Sequence, residues 1–91
     1  MRKKYGTITA YYSTEREQEK ALEDVIQNLE FEGYTVTQSS VVDGYDVALV
    51  GKHVGTILAW KTDASWQRET PYVLNIDADD VSAVWIADEV M

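Results

Sequence analysis

The sequence predicts a two-layer α+β domain in which one long helix packs on an antiparallel sheet, in the order β-α-β-β-β-β-β. Three observations carry this expectation. A single stretch, residues 14–33, places apolar residues at helical spacing between a start signal and a glycine stop. After Gly33 the apolar period changes to two and stays there. The connections between the later runs are short and carry Gly or Asp, so neighbouring strands run antiparallel.

Each element has its own signature. Residues 5–12 alternate, with Ile8, Ala10 and Tyr12 on one face and Tyr5, Thr7, Thr9 and Tyr11 on the other. Thr14 followed by Glu17 makes a capping box, and Glu15 and Glu17 put negative charge at the favourable end of the helix dipole. Leu22, Val25, Ile26 and Leu29 form the apolar stripe, and Gly33 ends the helix. Phe31 falls on the far side of an ideal helix from Leu22 and Leu29, so the helix is expected to end near Leu29 and let Phe31 turn inward. Residues 34–42, 45–50, 54–61, 72–76 and 81–87 read as strands. Asp43-Gly44 and Gly51-Lys52-His53 supply hairpin chemistry. Residues 62–71 form the longest polar connection, closed by the only proline.

Ninety-one residues fit one domain, residues 1–91. An apolar fraction of 45% with three Trp, six Tyr and one Phe is enough for one core, which argues against disorder. With no cysteine, disulfides and thiolate metal sites are excluded, which fits a reducing compartment. Residues 5–12 are too short and too polar to follow Met1-Arg2-Lys3-Lys4 as a signal peptide's apolar region. No apolar run approaches the ~20 residues that span a bilayer. A soluble, cytoplasmic protein is expected.

The net charge of −8 is unevenly spread. Residues 13–32 hold seven acids against Arg16 and Lys20, and residues 72–91 hold five acids and no base. Such a field repels nucleic-acid phosphates and anionic lipid and attracts basic protein surfaces. Glu15, Glu19 and Glu23 lie four apart along one helix flank, and Glu30 continues the row. Asp77, Asp79 and Asp80 cluster near the C-terminus.

Catalytic motifs are missing. His53 is the only histidine, which excludes multi-histidine metal sites, and no carboxylate lies close to it in sequence to orient it as a base. Asp77, Asp79 and Asp80 begin like a calcium loop, but Val81 and Ser82 stand where a ligand and the required glycine belong. Neither a metal nor a cofactor is expected. Trp66, with Arg68 two residues on, sits in the polar connection; such a tryptophan either plugs the end of the core or projects as a binding anchor. Trp60 and Trp85 lie in alternating strands and are expected in the core.

Size, acidity and the lack of catalytic residues resemble the small acidic inhibitors of viral or mobile-element origin that mimic nucleic acid. That resemblance is one of type. It implies a non-catalytic module that covers the basic surface of a nucleic-acid-binding protein without binding nucleic acid or membrane itself. Glu15, Glu19, Glu23, Glu30, Asp77, Asp79 and Asp80 would make the contact, with Trp66 and Arg68 as anchors. The alternative is an assembly module. Residues 47–50 and 57–60 are apolar on both strand faces, so a sheet face left bare by one helix would dimerise through Ala48, Val50, Ile57 or Ala59.

Overall fold

A computed structural model describes residues 6–91; Tyr5 and the basic residues Arg2, Lys3 and Lys4 lie outside them. The chain forms β1 (Gly6–Tyr12), α1 (Glu15–Phe31), β2 (Tyr34–Gln38), β3 (Gly44–Leu49), β4 (Lys52–Lys61), a 3-10 turn at Ser65–Gln67, β5 (Tyr72–Ala78) and α2 (Val81–Asp88). The five strands make one antiparallel sheet in the order β1-β5-β4-β3-β2. The fold class is therefore α+β as expected, with two helices instead of one.

The sixth strand expected over 81–87 is the helix α2. Its residues are apolar at almost every position, so a period of two and a period of 3.6 both fit them. Asp80 decides locally, because its side chain accepts from the Ser82 N–H at 2.9 Å and caps the helix start. Ala83, Val84 and Ala87 then form a narrow stripe that joins the core against α1, β1 and β5. Trp85 points away from that stripe and is 65% exposed, which corrects its expected place in the core.

Helix α1 begins as the capping box predicts, with the Glu17 N–H donating to the Thr14 hydroxyl oxygen at 3.2 Å. It buries Ala21, Val25 and Leu29, with Leu22 and Ile26 packed alongside. Gln18 is buried too. Its Nε2 donates to the Val73 carbonyl at 2.6 Å and the Trp60 carbonyl at 3.0 Å, fastening the start of α1 to the paired ends of β4 and β5. The helix continues past Leu29 to Phe31, leaving Phe31 87% exposed. Gly33, at φ +98°, supplies the stop two residues later than the inward turn of Phe31 required.

Both helices join one hydrophobic core with Ile57, Leu74, Ile76 and Ala78, so they cover the same sheet face. Pairing puts Ile8, Ile76, Ile57 and Tyr45 in one row on that face, and Ala10, Leu74 and Ala59 in the next. At Val47/Ala48 the β3–β4 register shifts, leaving Val54 as the extra residue of a bulge. Beside it Gly55 is buried, and a Cβ there would sit 2.5 Å from the Asp77 carbonyl oxygen. Only glycine lets β4 approach β5 at that point.

β2 is shorter than expected. The Ser39 hydroxyl accepts from the N–H groups of Val41 and Val42, turning the chain before it can extend to Val42. The β3–β4 turn is Val50-Gly51, with φ +50° and +78°, the two positive angles of a tight hairpin. Valine is poorly suited to that region, because its branched Cβ crowds the backbone. Val50→Asn keeps the turn and relieves the crowding, and is expected to stabilise the fold by about 1 kcal/mol. Thermal unfolding checks this, with an expected rise in Tm of about 4–8 °C.

Candidate protein-docking surface

The alternation that buries one sheet face dictates what the other displays. Across β1, β5 and β4 the first row of the uncovered face is Tyr11, Val73 and Trp60. The next is Thr9, Asn75 and Leu58, joined by Gly44 of β3. The third is Thr7, Asp77, Thr56, Asp46 and Thr37. Beyond the bulge the face ends in Ala48, His53 and Thr35. One end is thus aromatic and the other rich in hydroxyls and carboxylates.

At the aromatic end Val73 is buried between its neighbours, while Tyr11 and Trp60 are each 44% exposed. With strands about 4.8 Å apart, these two side chains stand on the order of 10 Å from one another across β5. The 62–71 connection adds Trp66. Its ring meets Tyr11 edge to face, with centroids 6.4 Å apart and planes at 70°, and it is 76% exposed. Trp66 therefore projects, and its contact is with Tyr11 on the sheet. Gln67 holds the loop by donating to Thr70 Oγ1 at 2.6 Å. Ser65 to Thr70, including the exposed Arg68, line a shallow hollow of about 590 Å³ beside the platform.

The polar end is internally bonded. Thr7 donates its hydroxyl to Asp77 Oδ1, Asn75 Nδ2 donates to Asp77 Oδ2 at 3.1 Å, and Thr9 donates to Asn75 Oδ1 at 2.6 Å. Sheet pairing also brings Asp46 within 3.4 Å of His53 Nε2, a carboxylate that sequence proximity did not offer. Both side chains are substantially exposed. Among the described residues no three acidic or histidine side chains group as metal ligands.

The acids singled out in the sequence go to different places. Glu15, Glu19, Glu23 and Glu30 are exposed on α1, in the helix layer. Asp77 faces the opposite side of the sheet. Asp79 is exposed in the turn after β5, where its N–H donates to the Val54 carbonyl at 2.7 Å. Asp80 caps α2 and accepts the Tyr34 hydroxyl at 2.8 Å. The helix ridge and Asp77 do not form one surface.

Trp60, like Trp85, is exposed where the sequence placed it in the core. Both faces of β4 read as apolar, so nothing local chose between them. The face was chosen by pairing, which turned Ile57 and Ala59 to the helices and Leu58 and Trp60 outward. Of the residues expected on an apolar dimer face, Ile57 and Ala59 instead face the core and Val50 sits in the turn, while Ala48 does lie on the uncovered face.

No known family model, curated protein or solved structure matches the chain. No helix among the described residues is long and apolar enough to cross a membrane.

Tyr34 gives the C-terminal acidic turn a pH signature. Its phenol is pushed from 10.0 up to about 12, by burial first, then by the hydrogen bond to Asp80 and the charges of Asp80 and Glu32. The neutral phenol is therefore favoured in the folded state. Its contribution to stability is present below pH 10 and lost as pH rises through about 12. Spectrophotometric titration should show Tyr34 ionising near that upper value, a component that Tyr34→Phe removes. Tyr34→Phe should flatten the fall in stability across that window.

Proposed function

We propose that the chain is a non-catalytic binding module of the cytoplasm that docks on a basic protein through the aromatic end of its uncovered sheet face. The observation that carries this reading is the placement of Tyr11, Trp60 and Trp66 together, exposed, around the buried Val73. Exposed aromatics of this kind bury large rigid area at low entropic cost and are typical anchors of interfaces. The net charge of −8 selects the partner, steering basic surfaces toward the domain and repelling acidic ones.

The partner class follows from the same charge. Surfaces that bind nucleic acid are the most basic that cells present, so a nucleic-acid-binding enzyme or complex is the favoured target, and the module acts by covering its site. A second reading places the contact on α1. Glu15, Glu19 and Glu23 are exposed and recur every four residues, about 6 Å along the helix, an evenly spaced row of anions like that of a nucleic-acid strand. Because α1 lies in the helix layer and the platform on the other side of the sheet, the two readings use different surfaces.

Substitution separates them. A basic host protein retained on the immobilised domain at low salt and released at high salt is the expected partner. Trp60→Ala with Trp66→Ala should weaken its binding at least tenfold, about 1.4 kcal/mol or more. Glu15, Glu19 and Glu23→Gln together should lower its association rate and salt sensitivity while leaving the dissociation rate nearly unchanged. Loss of binding with the glutamine triple variant but not the alanine double variant would move the interface to α1.

A further inference from the structure

The sheet ends in β1 at one edge and β2 at the other, and neither strand carries a charged side chain; the β2 edge is the one flanked by exposed apolar residues on both sides. Residues 33–42 contain no charged side chain, although 26% of the whole sequence is charged. Natural edge strands are commonly guarded by lysine, proline or inward-pointing charge, and β2, Tyr34-Thr35-Val36-Thr37-Gln38, has none of these.

The register shows which backbone groups are free to pair. The Ser39 N–H donates to the Gly44 carbonyl at 2.9 Å, continuing the β2–β3 pairing by one residue. Antiparallel pairs alternate, so Thr35 and Thr37 also turn their main-chain groups toward β3. Tyr34, Val36 and Gln38 turn theirs outward. Apolar side chains bracket the strand as well. Phe31 is 87% exposed just before it, Val41 is 89% exposed just after it, and Val42 is also exposed.

This arrangement is complementary to itself. If two copies of β2 meet antiparallel about Val36, Val36 pairs with its own copy and Tyr34 pairs with Gln38 in both directions. All three are hydrogen-bonded pairs, because those residues present the outward groups. The same two-fold axis places the Phe31 end of one strand at the Val41–Val42 end of the other, covering apolar surface at both ends. A closed two-fold contact of this kind uses one patch twice and does not propagate. Between copies that each carry −8, an uncharged edge is also where approach costs least.

We infer that β2 is a homodimerisation edge, joining two copies into one continuous ten-stranded sheet. This is independent of the platform, since the aromatic row lies on β1, β5 and β4 at the far side of the sheet. The two associations answer oppositely to salt. Docking on a basic partner weakens as salt rises, whereas pairing of two acidic copies through an uncharged edge strengthens.

Sedimentation equilibrium tests it. The wild-type chain is expected at twice its 10.3 kDa mass, with the dimer tighter at high salt. Gln38→Pro deletes an N–H that the β2–β3 alternation turns away from β3, so the monomer should keep its circular dichroism and Tm while dimer dissociation rises at least tenfold. Phe31→Glu should have the same effect without touching the backbone. A wild-type monomer at all concentrations up to the millimolar range would overturn the inference. So would a dimer that survives both substitutions and dissociates instead on Thr9→Pro in β1 or on Trp60→Ala with Trp66→Ala.

Discussion

The position of β5 between β1 and β4 is the constraint on which the rest of the structure depends. β5 is the strand that brings the first element of the chain beside the last of the hairpin series, and it is hydrogen-bonded on both sides. Its alternation divides the molecule. Leu74, Ile76 and Ala78 face the helices and are buried in the core, while Val73, Asn75 and Asp77 face the other way. Every neighbour in register inherits that division. The approach of β4 at Gly55, the anchoring of α1 by Gln18 and the seating of α2 over β1 and β5 all act on this strand or its immediate partners.

Two helices on one face leave the other face to solvent, and this sheet does not compensate by making that face uniformly polar. The side chains at the polar end are hydrogen-bonded to one another through Thr7, Asp77, Asn75 and Thr9. That network satisfies its own groups and fixes the β1–β5 register by side chains as well as backbone. The aromatic end has no such closure, and the 62–71 loop extends it by Trp66 instead of capping it. Polar groups that satisfy each other gain little from a partner, whereas exposed aromatic area gains much. The functional weight therefore falls on Tyr11, Trp60 and Trp66.

Much of this was legible in the residues alone. The Thr14 cap, the Val25–Leu29 stripe and the Gly33 stop specify α1 locally, and the alternation of β1 appears in its burial one residue after another. Asp43-Gly44 and Gly51 marked both hairpins. What failed was decided by contacts distant in sequence. Residues 81–88 carry too many apolar positions for their period to be read, and small alanines that suit close helix packing look the same in a strand. Trp60 and Ile57 are equally apolar, and only the pairing of β4 with β5 tells them apart. The acids failed for another reason. Charge can be counted along a chain, but Asp77 and Asp80 are engaged by Asn75, Tyr34 and backbone groups that no count reveals.

The central claim is that the uncovered sheet face, at its aromatic end, is where a partner sits. The most direct measurement is residue-level oxidative footprinting of the domain, free and in complex with a basic host protein captured at low salt. The account predicts that Tyr11, Trp60 and Trp66 label readily in the free domain and are protected together in the complex, while Trp85 in the helix layer stays open. Protection of Trp85, with the platform labelling as before, would contradict it.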